Sequence, residues 1–486
     1  MLPATPDQKK ALFQKARAHR AAGRTAEAIT DLQRLILSEP KRAELHLELS
    51  HAAFDHGDPD LSLEALEQAL TLAPGNPKLW MIAAARFQAL RQSDRALQAY
   101  DRAAALEPKN PAAKVEKARL QQILGDFDSA DKSFRALLKR YPEQTEIYRI
   151  ALGSRKLGKG DPLIRQMLKL WKDPRLNDHG RVSLGYALAK AMEDSGATDK
   201  VFAFLHAANA AQRRLAPFDP DQRRAEWQRD VAAQADLPVL PTQTDADPRL
   251  VFVCGLPRSG TTLVEQIIAA HSAARAGGEM GHALLKAHQM LGLDKPLRNT
   301  SAEAFHDWAT AVTRLATRDA GPDTGVITEK AIQSHRIFGL IHHALPGARL
   351  IVVHRDPRDI ALSVYKNHFA TGAHRYANDL ADIAGEIRLF RDSVAHWKTR
   401  LPGVIHEVRY EDLVTDPEAQ SRALIAAAGL DWEDGCLRFH EAKGAVQTLS
   451  LAQVRQPIHA GRRQAWKAYE TELQPFIQAW GDAPWD

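Results

Sequence analysis

The strongest chemical signal in the chain is the run Gly255-Leu256-Pro257-Arg258-Ser259-Gly260-Thr261-Thr262. It follows a short apolar segment, Leu250–Cys254, and precedes Leu263, Val264, Ile267 and Ile268, an apolar stripe at helical spacing. Strand, glycine-bounded loop and helix together form a phosphate cradle, because loop N–H groups and a helix N-terminus converge on an anion. The spacing is that of G-x-x-x-x-G-K-[ST], except that Thr261 replaces the lysine. A nucleoside triphosphate would lose its main cation there. Arg258 stands inside the loop instead, and Thr261 and Thr262 supply two hydroxyls. That set suits a 5′-phosphosulfate, whose lower charge needs less help from a metal. The competing reading is a tight strand–helix turn with no ligand.

A second anion grip is expected further along. Arg349–His354 reads as another buried strand, ending at Arg355, with Asp356 and Pro357 as N-cap and first helical residue and Asp359 three after the cap. Ser363 lies eight residues beyond Arg355, on the helix that opens there. An arginine at a strand end and a serine on the next helix can hold one phosphate from two directions. The alternative for Arg355 is a salt bridge to Asp356 or Asp359. His354-Arg355-Asp356 mimics the kinase H-R-D, but Ala361 stands where that motif requires asparagine.

The loop from Pro257 to Leu263 closely resembles the 5′-phosphosulfate loop of the sulfotransferase family, whose donor is 3′-phosphoadenylyl sulfate. Arg355 to Ser363 matches that family's 3′-phosphate site, R-D-P-R-D-x-x-x-S. Other segments narrow the resemblance to the tyrosylprotein branch. Ala276-Gly277-Gly278-Glu279 resembles its glycine-glycine-glutamate segment, which makes Glu279 the implied base. Thr328-Glu329-Lys330 falls at its catalytic lysine, Val408–Leu413 at the segment whose tyrosine, here Tyr410, contacts the nucleotide. Ser450-Leu451-Ala452-Gln453-Val454 looks like the stretch whose serine lies near the donor. The resemblance covers about Leu250 to Gln456. It implies Glu279, Arg258, Lys330 and Ser450 as catalytic, and Arg258, Ser259, Gly260, Thr261, Thr262, Arg355, Ser363, Tyr410 and Ser450 as donor-binding, with no metal.

Two departures stand out. Asn367 occupies the place of a second phosphate-side arginine, so the expectation is either substitution by Lys366 or His368 or a lower donor affinity. Beyond Val454 the family's lysine has no clear counterpart, leaving Arg462 and Arg463 as candidates. His282 is the nearest rival to Glu279 as base. Plainer readings exist for each residue: a solvated loop glutamate for Glu279, a surface ion pair for Glu329 and Lys330, and strand packing for Tyr410.

The elements in front of these motifs are periodic. Pro40, Pro74, Pro108 and Pro142 recur every 34 residues. Gly23, Gly57 and Gly125 keep the frame, with Arg91 where the remaining glycine would fall. Ala28, Ser62, Ala96 and Ala130 form a small-residue column. This resembles the tetratricopeptide repeat, two amphipathic helices packed through small residues, turned at a glycine and closed by a proline. After Pro142 a helix is expected over Glu146–Gly158. A further pair around Val182–Ser195 and Asp199–Arg213 reads as another repeat or a cap, and Gln222–Ala233 as one amphipathic stretch.

The chain of 486 residues exceeds a common single domain, and its net charge of +5 suits anionic ligands without arguing for nucleic acid. Two cysteines, Cys254 and Cys436, cannot build a disulfide framework or a zinc site. The start shows no secretory pattern and no run is long enough to span a membrane, so a cytoplasmic protein is expected. The expected fold is a tetratricopeptide α-solenoid with its cap over 1–214, a linker over 215–248, and a P-loop-like α/β domain with a mostly parallel sheet over 249–486. The expected function is sulfuryl transfer from 3′-phosphoadenylyl sulfate to a hydroxyl, with protein tyrosine as the first candidate. The repeat groove would hold an acceptor protein or peptide. A carbohydrate or small-molecule acceptor, a P-loop kinase or NTPase, and an inactive scaffold are the alternatives.

Overall fold

The computed structural model describes residues 5–153, 155–242, 246–321, 324–441 and 464–485. Five strands are present: β1 (Arg249–Cys254), β2 (Ala274–Ala276), β3 (Val326–Glu329), β4 (Arg349–His354) and β5 (Ile405–Arg409). They form one sheet in the order β2-β3-β1-β4-β5. By packing, the chain divides into two compact units, one of 1–117, 229–252 and 273–348, the other of 118–228, 253–272 and 349–486. The division expected from the sequence followed the chain in order. The observed units instead each combine repeat helices with part of the α/β half.

The first unit holds three helix pairs: Pro6–Ala21 with Thr25–Ser38, Ala43–His56 with Pro59–Leu72, and Pro77–Ala89 with Ser93–Leu106. Ala28, Ser62 and Ala96, the small-residue column, are all 0% exposed, which lets the paired helices approach closely. Pro40 and Pro74 each stand two residues beyond the end of a second helix. In the same unit β3 pairs in parallel with β1 (Leu250↔Ile327, Phe252↔Glu329) and with β2 (Ala274↔Val326, Ala276↔Thr328). Every residue of β3 is buried, as a parallel strand covered on both faces requires.

The second unit contains Phe127–Arg140, the short helix Thr145–Ala151, then Pro162–Trp171, Asp178–Asp194 and Val201–Leu215. The helix expected over Glu146–Gly158 stops at Ala151, where Gly153 N–H turns back to the Ile150 carbonyl and tightens the last turn. The expected pair near 182–213 is present as Asp178–Asp194 and Val201–Leu215. β4 and β5 pair in parallel from Leu350↔Ile405 to His354↔Arg409.

The segment expected to be a linker contains the helix Pro220–Ala233. In the second unit Arg223 forms a bidentate pair with Glu386, Nε at 3.1 Å and Nη2 at 2.7 Å from Oε1, with both side chains buried. In the first, the fully buried Asp230 accepts from Arg336 Nε at 2.6 Å, and Gln234 bonds both the Arg336 carbonyl and the Leu340 amide at 2.8 Å. Buried charges require such partners, so this stretch belongs to the packed structure. Among the described residues no helix is long and apolar enough to cross a membrane.

Candidate active site

Each of the five strands is followed at its carboxyl end by one of the expected functional residues. β1 leads into the loop 255–262, which turns into the helix Thr261–Ala269. That helix has Gly260 as its N-cap, a residue with no side chain to cap it. Gly260 is at φ +111, and a Cβ there would meet Cδ2 of Tyr410 at 2.7 Å, so the loop needs a residue without a side chain. Arg258 adopts a left-handed φ of +72, which costs an ordinary residue about 1–2 kcal/mol. This strain is local to the loop and turns the guanidinium toward Ser363, whose Oγ accepts from Arg258 Nε at 2.9 Å. Thr261 and Thr262 are buried, and the Ser259 hydroxyl, 0% exposed, meets no partner among the described residues. A buried donor without an acceptor at a helix start fits an anionic ligand with free oxygens.

Arg355 and Tyr410 assemble around the same loop. Arg355, one residue past β4, donates from Nη1 to the Arg258 carbonyl at 3.1 Å and lies 4.4 Å over the Tyr410 ring. Asp359 Oδ2 lies 3.6 Å from its Nη2. Asp356 caps the helix Pro357–Tyr365 as expected, accepting from the Arg358 amide. Tyr410 does not sit within a strand; it opens the helix Tyr410–Thr415 directly after β5, and the next residue, Glu411, accepts from the Asp356 amide at 3.0 Å. Arg258, Arg355, Ser363 and Tyr410 are therefore brought together. A cavity of about 720 Å³ opens beside them, lined by His354, Arg355, Asp356, Arg358, Glu411 and Trp485 among others. That is the size of a small-molecule site.

The residues suggested to replace the second arginine are otherwise engaged. Asn367 donates to the Ser363 carbonyl at 2.7 Å, Lys366 pairs with Glu193, and His368 packs edge-on against Tyr186. Burial pushes the His368 pKa down to about 4. Side chains of the helix Val201–Leu215 also hold this helix: Asn209 donates to the Tyr365 carbonyl at 3.1 Å, and the Tyr365 hydroxyl is 2.7 Å from His206 Nδ1.

The remaining pair lies in the first unit, after β2 and β3. Glu279 follows Ala276 by three residues. The Gly277 amide donates to the Thr328 carbonyl at 3.0 Å, and the Lys330 amide to the Gly278 carbonyl at 2.9 Å, so the two strand ends are laced together. A Cβ on Gly277 would stand 2.5 Å from the Thr328 carbonyl. Lys330 Nζ donates to Glu279 Oε1 at 2.8 Å, and the lysine side chain is 1% exposed against 56% for the glutamate. The ion pair read between Glu329 and Lys330 is replaced by this one. Glu329 is fully buried, and burial pushes its pKa up to about 8, opposed in part by the Ala283 amide. His282, the rival base, has its Nε2 2.7 Å from Asp319 Oδ2. Ser450, Arg462 and Arg463 lie outside the described residues. Among the described residues no group of three or more His, Cys, Asp or Glu could hold a metal ion.

Sequence reasoning missed Arg91, whose Nη2 donates to the Ala276 carbonyl at 2.7 Å. Its only signal is that it interrupts the glycine column of the repeats.

Helix pairs and a five-stranded sheet with a glycine-bounded loop after β1 define the class of protein. Residues 13–77 and 83–145 match the tetratricopeptide repeat, and residues 248–434 match the sulfotransferase family; the chain is a tetratricopeptide-repeat protein with a sulfotransferase-family domain. An uncharacterized protein of Aquifex aeolicus (strain VF5) is 30% identical over 340 residues, 65% of this chain and 44% of that one. Protein-tyrosine sulfotransferase 2 of Gallus gallus is 23% identical over 230 residues, 42% of this chain and 57% of that one. The chain thus spans about half the length of these relatives. The sulfotransferase domain of the Synechococcus PCC 7002 olefin synthase aligns with 50% of this chain and 100% of its own, at 18% identity and a TM-score of 0.36.

Proposed function

We propose that this protein transfers the sulfuryl group of 3′-phosphoadenylyl sulfate to an acceptor hydroxyl, with protein tyrosine as the preferred acceptor. The observation that carries the reading is the convergence of Arg258, Arg355, Ser363 and Tyr410 on the loop 255–262. Ser259, Gly260, Thr261 and Thr262 with Arg258 would hold the 5′-phosphosulfate end, and Arg355 with Ser363 the 3′-phosphate. A second phosphate is the reason for a second cationic grip, which a plain P-loop hydrolase lacks. Similarity to the chicken tyrosine-directed enzyme supports the choice of acceptor.

The transfer is an in-line displacement. The acceptor oxygen–sulfur bond forms as the bond from sulfur to the phosphate oxygen breaks, and adenosine 3′,5′-bisphosphate leaves. Glu279 takes the acceptor proton. Arg258 and Lys330 neutralise charge on the moving group and the departing oxygen, so the chain contributes positioning and fixed electrostatics. Lys330 also orients the Glu279 carboxylate before the acceptor arrives. The repeats would recruit the acceptor protein. In the first unit, however, Arg318 Nη1 donates to the Phe54 carbonyl at 2.6 Å and the guanidinium lies 3.8 Å over the Phe54 ring. The acceptor surface is therefore sought on repeat faces other than that one.

Mass spectrometry of sulfated peptides from the native host, with and without this protein, tests the reading. Sulfotyrosine peptides that vanish with the protein support it. Loss of sulfated carbohydrate or small molecules, with sulfotyrosine unchanged, replaces tyrosine by that acceptor class.

A further inference from the structure

The turns between the paired helices of the first three repeats stand in one column, at 23, 57 and 91, and all three meet segment 273–348 of their own compact unit. At Gly23 the space for a Cβ is taken by the Gln289 side chain, and at Gly57 by that of Arg314, with Cγ 2.8 Å away. In these two turns the glycine receives a side chain. The third turn reverses the direction. Arg91 has φ +60 and closes its helix as Gly57 does, its amide donating to the Gln88 carbonyl at 3.0 Å and the Gln92 amide to the Phe87 carbonyl at 2.8 Å. Glycine fits that position best, and the turn gains nothing from a longer residue. What the arginine provides is reach: its Nη2 donates to the Ala276 carbonyl at 2.7 Å.

Ala276 ends β2, the edge strand of the sheet. The Ala273 carbonyl accepts from the Val326 amide and the Gly277 amide donates to the Thr328 carbonyl, so alternation along a parallel ladder aims the Ala276 carbonyl off the open edge. Beyond it come Gly277, Gly278 and Glu279. The inner side of this segment is fixed by the Thr328 and Lys330 backbone, and the outer side by Arg91. We infer that Arg91 is a positioning residue: the third repeat fastens the carboxyl end of β2 from its open edge and so sets where Glu279 is held. Its effect on turnover rests on the reading of Glu279 given above; its effect on the strand end does not.

Hydrogen–deuterium exchange of the full chain reads the inference without any acceptor. R91G restores the glycine of the other three turns, so its Tm should equal or exceed the native value. Exchange over 276–282 should rise about tenfold while peptides from Pro77–Ala89 and Ser93–Leu106 do not speed up. R91K, which keeps a donor, should fall between. With a tyrosyl peptide as probe acceptor, kcat of R91G should drop about tenfold at unchanged KM for the donor. Exchange over 276–282 within twofold of native overturns the inference, as does faster exchange spread through both repeat helices or an unchanged kcat despite a loosened strand end. Glu279→Gln in the same assay separates the two ideas. If it stays active, the reading of Glu279 fails and exchange alone judges Arg91; if it is inactive while R91G is native in both readouts, only the role of Arg91 falls.

Discussion

An exposed carboxylate on a buried ammonium, Glu279 on Lys330 at 2.8 Å, decides which substitution of the base is informative. Alanine at 279 would leave the lysine buried and uncompensated, mixing a stability loss into the kinetics. Glu279→Gln keeps an acceptor for Lys330 Nζ and removes the basicity. Turnover should fall by about 10²–10⁴-fold, the usual worth of a general base, while affinity for adenosine 3′,5′-bisphosphate stays within about twofold. Near-native turnover would remove Glu279 from the mechanism. Glu329, one residue before Lys330, makes a separate prediction from its burial. Its pKa rises from the ordinary 4.5 to about 8, so between those values the folded chain keeps a proton that the unfolded chain has released. Stability then falls as pH rises through this window, by about 1.4 kcal/mol per pH unit. Glu329→Gln removes the dependence, so its Tm should gain on the native protein steadily from pH 5 to pH 8. A constant difference across that range would show that Glu329 does not hold the proton.

Among the elements, the loop after β1 was fully legible because its residue types are unusual together: two glycines, an arginine and paired threonines between an apolar run and an amphipathic stripe. The repeats were legible for the same reason, since a period of 34 in proline and small residues has few other causes. β2 and β3 were not. They span only Ala274–Ala276 and Val326–Glu329, too short to show alternation, and the register between them is set by backbone bonds that leave no mark on residue type. The partner of Arg91 lies 185 residues away, so the oddity in the glycine column was visible but its purpose was not. The junction of β2 and β3 predicts a sharp sensitivity. In Gly277→Ala the new methyl would stand 2.5 Å from the Thr328 carbonyl and 1.7 Å from Met280 Cε. The methionine can swing away, but the backbone carbonyl cannot. Displacement of the segment should lower kcat about 10²-fold with donor-product affinity retained. An unchanged kcat would mean that the β2–β3 junction does not position Glu279.

For the whole molecule, the two compact units each draw on both halves of the sequence, and the segment 215–248 carries buried charges into them. A fragment starting at 245 would strip Arg223 from Glu386 and Asp230 from Arg336, costing two buried ions their charged partners at about 3–5 kcal/mol each. It should be recovered mainly as insoluble protein. A soluble fragment with the Tm of the full chain would show that the α/β half folds alone. Recognition of a nucleotide phosphorylated at both its 3′ and 5′ positions is what Arg355 and the loop 255–262 must achieve together, and calorimetry on the full chain in EDTA tests that directly. Adenosine 3′,5′-bisphosphate should bind at least about tenfold more tightly than adenosine 5′-monophosphate, and Arg355→Ala should abolish the difference, since a charged hydrogen bond contributes about 1.5–3 kcal/mol. Equal affinity for the two nucleotides, or binding that appears only when magnesium is added, would contradict it.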